Sequence, residues 1–520
     1  MSALVRLLDA QDLVAPLSDA EAEIVASELA SQTGLVIYAR SIAAREGRVY
    51  FMARRGLQKL LGVMSAREEP GEFQGERMPA PQGALLLCPL VAANAARLRA
   101  VLPFTAPVLT GERRTFGMGD RLGLATPAHI RAIRGSGITP VLAQQSIREM
   151  NRTGRSPQDV IDDATWGVFE EGFRDGFGAD ADHLKTAEDI ESTFAAGFRM
   201  FTLDPGGFVD DSASGADAAS LRTKAAGMPW DDLETSEADC RRALLGRRFQ
   251  VGHDMAIEFD EETLLRAVAK YGRAVAHVLR LYRHLADLAS GQPFELEISV
   301  DETSSPTSPA EHFYVAHELR RLGVRFHGLA PRFVGDFEKG VDYRGDLSAF
   351  EESYLGHLRI ANYFGGYKIS IHSGSDKFSI YPVLARFGGD RVHVKTAGTS
   401  YLEALRAVAR TEPDLFREIL SFALRMYDTD RATYHVSAEP SRVPSPDTAG
   451  AAELVGVLDS DDGRQVLHVT YGSVLNARDE RGEFLFRDRL YNALRANEEV
   501  HYGTVQAHLA RHILPFSARR

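Results

Sequence analysis

The chain has 520 residues, 44% of them hydrophobic and 25% charged, which is the composition of a globular fold with a substantial core. A formal charge of −12 provides no basic face for a phosphate backbone, and the two cysteines, Cys88 and Cys240, have no metal-like or disulfide spacing, so nucleic-acid binding and a disulfide framework are excluded. Asp9 and Asp12 interrupt the opening stretch before a signal-length apolar run develops, and no later segment has the apolar length of a membrane span; a soluble, cytoplasmic protein without membrane contact is expected.

Residues 1–105 read as an N-terminal α/β lead-in packed on a larger C-terminal unit. Ser18 and Glu21 have the spacing of a capping box before the helix-like AEIVASELASQ, and GLVIYARSI and GRVYFMARR are strand-like. From about Thr115, short apolar segments alternate with amphipathic helices, as in a parallel sheet covered by helices. The expected strands are TFGMGD, TPVLAQQS, ADHLK, RMFTLD, FELEISVDE, VRFHGLAP, YKISIHSG and VHVKTAG. Eight such units predict a (β/α)8 TIM-type barrel over residues 106–475, with an open doubly wound sheet as the alternative, because periodicity does not show whether a sheet closes. PGGFVDDSASGADAASL is too polar for core and reads as a flexible insertion near 206–230. After the eighth strand, TYHVSAE and RQVLHVTYGS look strand-like, and 476–520 reads as a C-terminal helical segment.

The informative feature is where the polar residues fall. Ligands in parallel α/β folds bind at the carboxyl ends of the strands, and several of the expected strands end in reactive polar residues: Asp120, Gln144 with Gln145, Asp182 with His183 and Lys185, Asp204, Asp301 with Glu302, His372 with Asp376 and Lys377, and Lys395 with Thr396. Plain alternatives exist for each. Asp301 and Glu302 suit a helix cap, His372 a satisfied structural histidine, and Lys395 a surface ion pair. Within a regular strand, Asp182 and His183 would face opposite sides, so they share a site only at a strand end or a bend. Gly117, Gly119 and Gly123 are spaced GxGxxxG, a poor dinucleotide fingerprint, though such a turn with Arg121 can receive a carboxylate.

The runs DRLGLATPAHI, QQSIREM, DDATWGVF, FGADADHLKT, LAPRFVGDFEKGVDYRGD, KISIHSGSDKFSIYP and HVKTAGTSYLEALR together resemble the tagaturonate epimerase family over roughly residues 110–480. The resemblance implies an isomerase that interconverts D-tagaturonate and D-fructuronate, two ketohexuronates of hexuronate catabolism that differ at C4, with a divalent cation (Zn, Mn, Co or Ni). The C4 hydrogen is not adjacent to the C2 ketone, so simple enolisation cannot invert that centre, whereas retro-aldol cleavage of C3–C4 and recombination can. On this reading Asp182, Glu302 and Lys395 are catalytic. His183, Glu302 and His372 hold the metal, and Arg121, Gln144, Gln145 and Lys377 bind substrate. Hydride transfer at C4, a metal-dependent aldolase or ketose isomerase acting on related sugar acids, and a non-catalytic sugar-acid binding protein are the competing readings; association into a homo-oligomer stays open.

Overall fold

The computed structural model describes residues 3–66, 72–79 and 83–517. Its N-terminal part is an antiparallel sheet of β1 (Val36–Arg45), β2 (Arg48–Arg55), β3 (Gln58–Ser65), β4 (Glu76–Pro79) and β5 (Ala84–Pro89), in the order β1-β2-β3-β5-β4. The preceding helix, Asp19–Thr33, starts with the expected capping box, in which the Glu21 amide donates to Ser18 Oγ and the Ser18 amide donates to the Glu21 carboxylate. One face of the sheet packs on Val25 and Leu29 of that helix. The other receives Trp166 and Phe169 from the helix Pro157–Glu170, which cluster with Tyr50, Met52 and Leu61.

The sheet is followed by β6 (Thr115–Met118), β7 (Thr139–Ser146), β8 (Gly178–Leu184) and β9 (Met200–Leu203). A short antiparallel pair, β10 (Arg248–Gln250) and β11 (Ala256–Glu258), comes next, and then β12 (Glu295–Val300), β13 (Gly328–Pro331), β14 (Lys368–Ile371) and β15 (Val392–Thr396). β6–β9 and β12–β15 form a closed parallel barrel. Closure is visible in the register: Lys395 of β15 pairs with Gly117 of β6, and Glu297 of β12 with Thr202 of β9. This settles the open-sheet alternative, and all eight barrel strands lie on the segments expected from the sequence. The covering helices begin where short polar side chains cap them; Ser156, Thr186 and Ser308 each accept from the amide three residues on and close a capping box.

Period-two alternation then sorts side chains between the two faces of the barrel wall. Leu296, Ile298, Ile369, Ile371, Val392 and Val394 join the apolar cluster under the helices. Their neighbours Glu297, Ser370, His372 and Lys395 point inward, where they meet one another and Asp180, Asp182 and Thr202. The barrel is therefore apolar outside and ionic inside.

Two stretches carry structure that their composition did not suggest. The stretch 206–230 contains the helix Ala218–Ala226, which packs on the long helix Glu261–Ala289 and buries Leu221 completely; that one side chain contributes about 1.5–3 kcal/mol despite the polar composition around it. TYHVSAE and RQVLHVTYGS are not strands. Residues 434–439 are irregular, and the second segment falls in the helices Asp461–Val469 and Tyr471–Asn476. Ser460, whose hydroxyl accepts from Gly463 N, and the acids Asp461 and Asp462 in the first turn start that helix and override its valine-rich middle. Among the described residues, no helix is long and apolar enough to cross a membrane.

Candidate active site

At the centre of the barrel, Lys395 Nζ lies 2.7 Å from Asp180 Oδ2, 2.8 Å from Asp182 Oδ1, 2.8 Å from Glu297 Oε1 and 2.7 Å from Thr202 Oγ1. Burial alone would pull this ammonium down, but the carboxylates of Asp180, Asp182 and Glu297 hold it protonated well above the usual lysine range. The lysine in turn keeps Asp182 and Glu297 ionised, against a burial effect that pushes the other way. With its donors consumed, Lys395 is the electrostatic floor of the site and is not free to meet substrate oxygen.

Two histidines stand above this floor. His372 Nε2 is 2.7 Å from Glu297 Oε1, and its Nδ1 is 3.1 Å from Asp301 Oδ1. His183 Nδ1 is 3.1 Å from Asp204 Oδ2, and its Nε2 faces Asp182 Oδ1 at 3.8 Å. The imidazole rings meet edge to face with centroids 5.0 Å apart. Burial works against protonation of both rings. For His183, Asp182 and the hydrogen bond to Asp204 more than offset it, giving about 9; for His372, Asp301 and its hydrogen bonds do so, giving about 10.

The backbone is bent to bring these groups together. His183 has φ 53°, so it is not in a regular strand conformation, and the β8–β9 register shifts between Ala181 and Leu184. That bend lets neighbouring Asp182 and His183 serve one site. Of the six non-glycine residues with positive φ among those described, Ser373 directly follows His372 and Asp376 lies in the same loop, four residues after it. Such conformations cost about 1–3 kcal/mol each and persist where surrounding contacts enforce them.

Three groups of side chains have metal-like spacing, and their chemistry separates them. In Asp182, His183 and His372, each imidazole has one nitrogen engaged by a buried carboxylate, Asp204 or Glu297, and its other nitrogen turned toward a further acid. This is the arrangement that orients histidine ligands. The acids around the two rings favour positive charge at this point, the charge that a divalent cation would bring. In His183, Asp204 and Glu302, the Asp204 carboxylate is already occupied by His183 Nδ1, Gly206 N at 2.8 Å and Lys185 Nζ at 3.1 Å. In Asp376, His508 and His512, Arg464 lies 2.7 Å from Asp376 and His512 Nε2 accepts from the Asp376 amide, so that group is a buried ion-pair network. The first group fits a cation; Asp301 joins it through His372.

A cavity of about 530 Å³ opens over these residues at the carboxyl ends of the strands. Arg121, Gln144, Asp182, His183, Glu302, His372 and Lys395 all line it. Gln144 has a buried side-chain amide with no partner among the described residues, and a Cβ on Gly117 would meet its Oε1 at 2.1 Å, which explains the glycine. Arg121 is committed: its Nε donates to Glu149 at 2.9 Å, its Nη1 to His468 O at 3.2 Å, and it stacks on Tyr471. Glu302 lies on the rim, 36% exposed, 3.3 Å from Arg148 and 3.8 Å from Lys185.

Two substrate-binding expectations are not met by these positions. Gln145 follows Gln144 on one strand and faces the other side, outside the cavity. Lys377 is wholly buried, with Nζ donating to the carbonyls of Glu338, Val341 and Ser375, so it ties two loops together.

A closed barrel with acids and histidines at the strand ends has counterparts among known proteins. The model of the tagaturonate epimerase family matches residues 38–515. The chain belongs to the tagaturonate epimerase family. It is 43% identical over 480 residues to the tagaturonate/fructuronate epimerase of Thermotoga maritima, covering 92% of this chain and 96% of that one. Crystal structures of the fructuronate-tagaturonate epimerase UxaE of Cohnella laeviribosi, native and glycerol-complexed, are similar at a TM-score of 0.88 and 38% identity, over 96% of this chain and 99% of that chain. Like its family, the protein is a carbohydrate isomerase of the epimerase class.

For this family member, the sequence groups Asp180 with Asp182 and His183 in FGADADHLK without giving it a role, and Thr202 and Glu297 went unmarked; these three build the floor. Part of the signal was present: ELEISVD and GADADH alternate apolar residues with Glu295, Glu297, Ser299 and Asp301 and with Asp180 and Asp182, the mark of a polar barrel interior. Lys339 and Arg332, which also line the cavity, lie on an irregular loop and leave no periodic trace.

Proposed function

We propose that this enzyme interconverts D-tagaturonate and D-fructuronate by inverting C4 through metal-assisted retro-aldol chemistry, in a reducing, cytoplasmic setting that suits two buried, unpaired cysteines. The observation that carries the reading is the paired imidazoles of His183 and His372, each backed by a buried carboxylate, beside Asp182 and Asp301 in a polar barrel mouth. Those four side chains would hold the cation. Bound there, it would supply Lewis-acid stabilisation for the negative charge that develops on the ketone oxygen.

The chain's own groups do the rest. Asp204 and Glu297 fix the two imidazoles, and Lys395 keeps Asp182 ionised, which suits a ligand better than a proton acceptor. Glu302, half exposed between Arg148 and Lys185, is placed to exchange protons with both substrate and solvent, and takes the C4 hydroxyl proton. The C3–C4 bond then breaks with its electron pair passing to the C3 side as an enediolate, while C4 becomes the aldehyde of tartronate semialdehyde. Rotation of that aldehyde and re-addition close the bond on the opposite face, and Glu302 returns the proton. Gln144, with both amide atoms unpartnered among the described residues, offers a donor and an acceptor to substrate hydroxyls.

The test is NMR of metal-loaded, chelated and reconstituted protein incubated with D-tagaturonate. D-Fructuronate forming in the first and third samples alone supports the reading. Three-carbon products as the end point would indicate an aldolase, and conversion that survives chelation would remove the metal from the account.

A further inference from the structure

Most buried cations around the site are matched by acids: Lys395 by Asp180, Asp182 and Glu297, Arg121 by Glu149, and Arg464 by Asp376 and Glu403. Lys339 differs. It lies on the loop after β13 and lines the same cavity; its ammonium donates to Ser373 Oγ at 2.5 Å, and among the described residues no carboxylate is within ion-pair distance. Arg332, from the same loop, also lines the cavity and buries its Nε without a partner among the described residues. Cations withdrawn from water without a counter-charge are costly unless a ligand supplies one.

The loop that carries Lys339 is held in place before any ligand arrives. Lys377 Nζ takes the carbonyls of Glu338 and Val341, and Arg464 Nε donates to the Gly340 carbonyl at 2.8 Å. The Glu338 carboxylate accepts from Gln465 Nε2 and Ser437 Oγ, each at 2.7 Å. The residues on both sides of Lys339 are therefore anchored to buried cations and to the C-terminal helices. A fixed, partly desolvated ammonium of this kind binds an anion without paying for its own ordering.

We propose that Lys339, with Arg332 from the same loop, binds the carboxylate of the sugar-acid substrate and makes that group the feature by which the site prefers a uronate to a neutral ketohexose. The inference rests on the sugar-acid epimerase reading and deepens it. In the retro-aldol route the carboxylate belongs to the tartronate semialdehyde half. Anchored there, the fragment turns about its C4–C5 bond without escaping.

The experiment is calorimetric titration of metal-loaded wild type, Lys339→Met and Lys339→Arg with D-tagaturonate and with neutral D-tagatose, with thermal unfolding run alongside. The expected result is at least about 30-fold weaker binding of the acid by K339M, unchanged binding of tagatose and partial recovery in K339R. Turnover by K339M should also release trapped three-carbon aldehyde. Equal affinity of wild type for acid and neutral sugar, full acid binding by K339M, or equal loss of both ligands would overturn the proposal, the last by making Lys339 a prop for its loop. A wild type that binds D-tagaturonate but does not epimerise it would refute the function while leaving the carboxylate site standing.

Discussion

Replacing Asp204 with asparagine separates metal-site orientation from metal-site charge. Asp204 touches His183 Nδ1 at 3.1 Å and is 2% exposed; it orients the ring from behind, and its other ion pair reaches only the half-exposed Lys185. An asparagine of the same shape can turn its NH2 toward Nδ1, which leaves the proton on Nε2, the nitrogen that faces Asp182. Loss of such a supporting partner lowers metal affinity about 10- to 100-fold, or about 1.4–2.7 kcal/mol. Losing the Lys185 pair adds little, because exposed ion pairs contribute about 0–1 kcal/mol. The assay is competition between apo-protein and a chromophoric chelator for Zn or Mn, with circular dichroism to confirm an intact fold. Wild-type affinity in a folded D204N would refute His183 as a metal ligand held by Asp204.

Glu302→Gln should lower kcat by about 10²- to 10⁴-fold with metal content unchanged, measured by steady-state turnover and elemental analysis, because the side chain sits on the rim and moves protons without building the fold; parallel loss of metal would make it a ligand instead. Asp376 predicts a pH dependence. Burial pushes its carboxyl up, but Arg464 and the hydrogen bond from His508 hold it well below the ordinary carboxylate range. Its folded pKa is thus below its unfolded value, so its stabilisation is complete above about pH 4 and is lost as pH falls through the folded pKa. Asp376→Asn should cost about 1–3 kcal/mol at neutral pH, because Arg464 loses this partner while keeping Glu403 at 3.2 Å. It should also flatten the acid limb of the unfolding midpoint plotted from pH 7 to pH 3; an unchanged limb would mean that this network does not set acid stability.

The barrel was legible because its strands are short apolar runs, most of which end in a reactive side chain, and strands of that kind have few other uses. Its closure was not, since the pairing of Lys395 with Gly117 joins residues far apart in sequence. Asp182 and His183 show the limit of periodicity: alternation separates them, and the positive φ of His183 reunites them. Lys377 looked like a ligand for substrate because it lies shortly after His372, yet three carbonyls claim its ammonium. Lys339, in a loop without pattern, came to light only when the cavity around it was in view. In the C-terminal part, Val466, Leu467 and Val469 suggested a strand, while the capping serine and acids before them had already started a helix.

The most direct test of C4 inversion by carbon–carbon cleavage is the metal-loaded reaction of D-tagaturonate in D2O, followed by NMR and mass spectrometry. The account predicts D-fructuronate that keeps protium on both C3 and C4, because neither carbon exchanges its hydrogen when the bond between them opens and closes. Deuterium incorporated at C4, or no D-fructuronate at all, would contradict it.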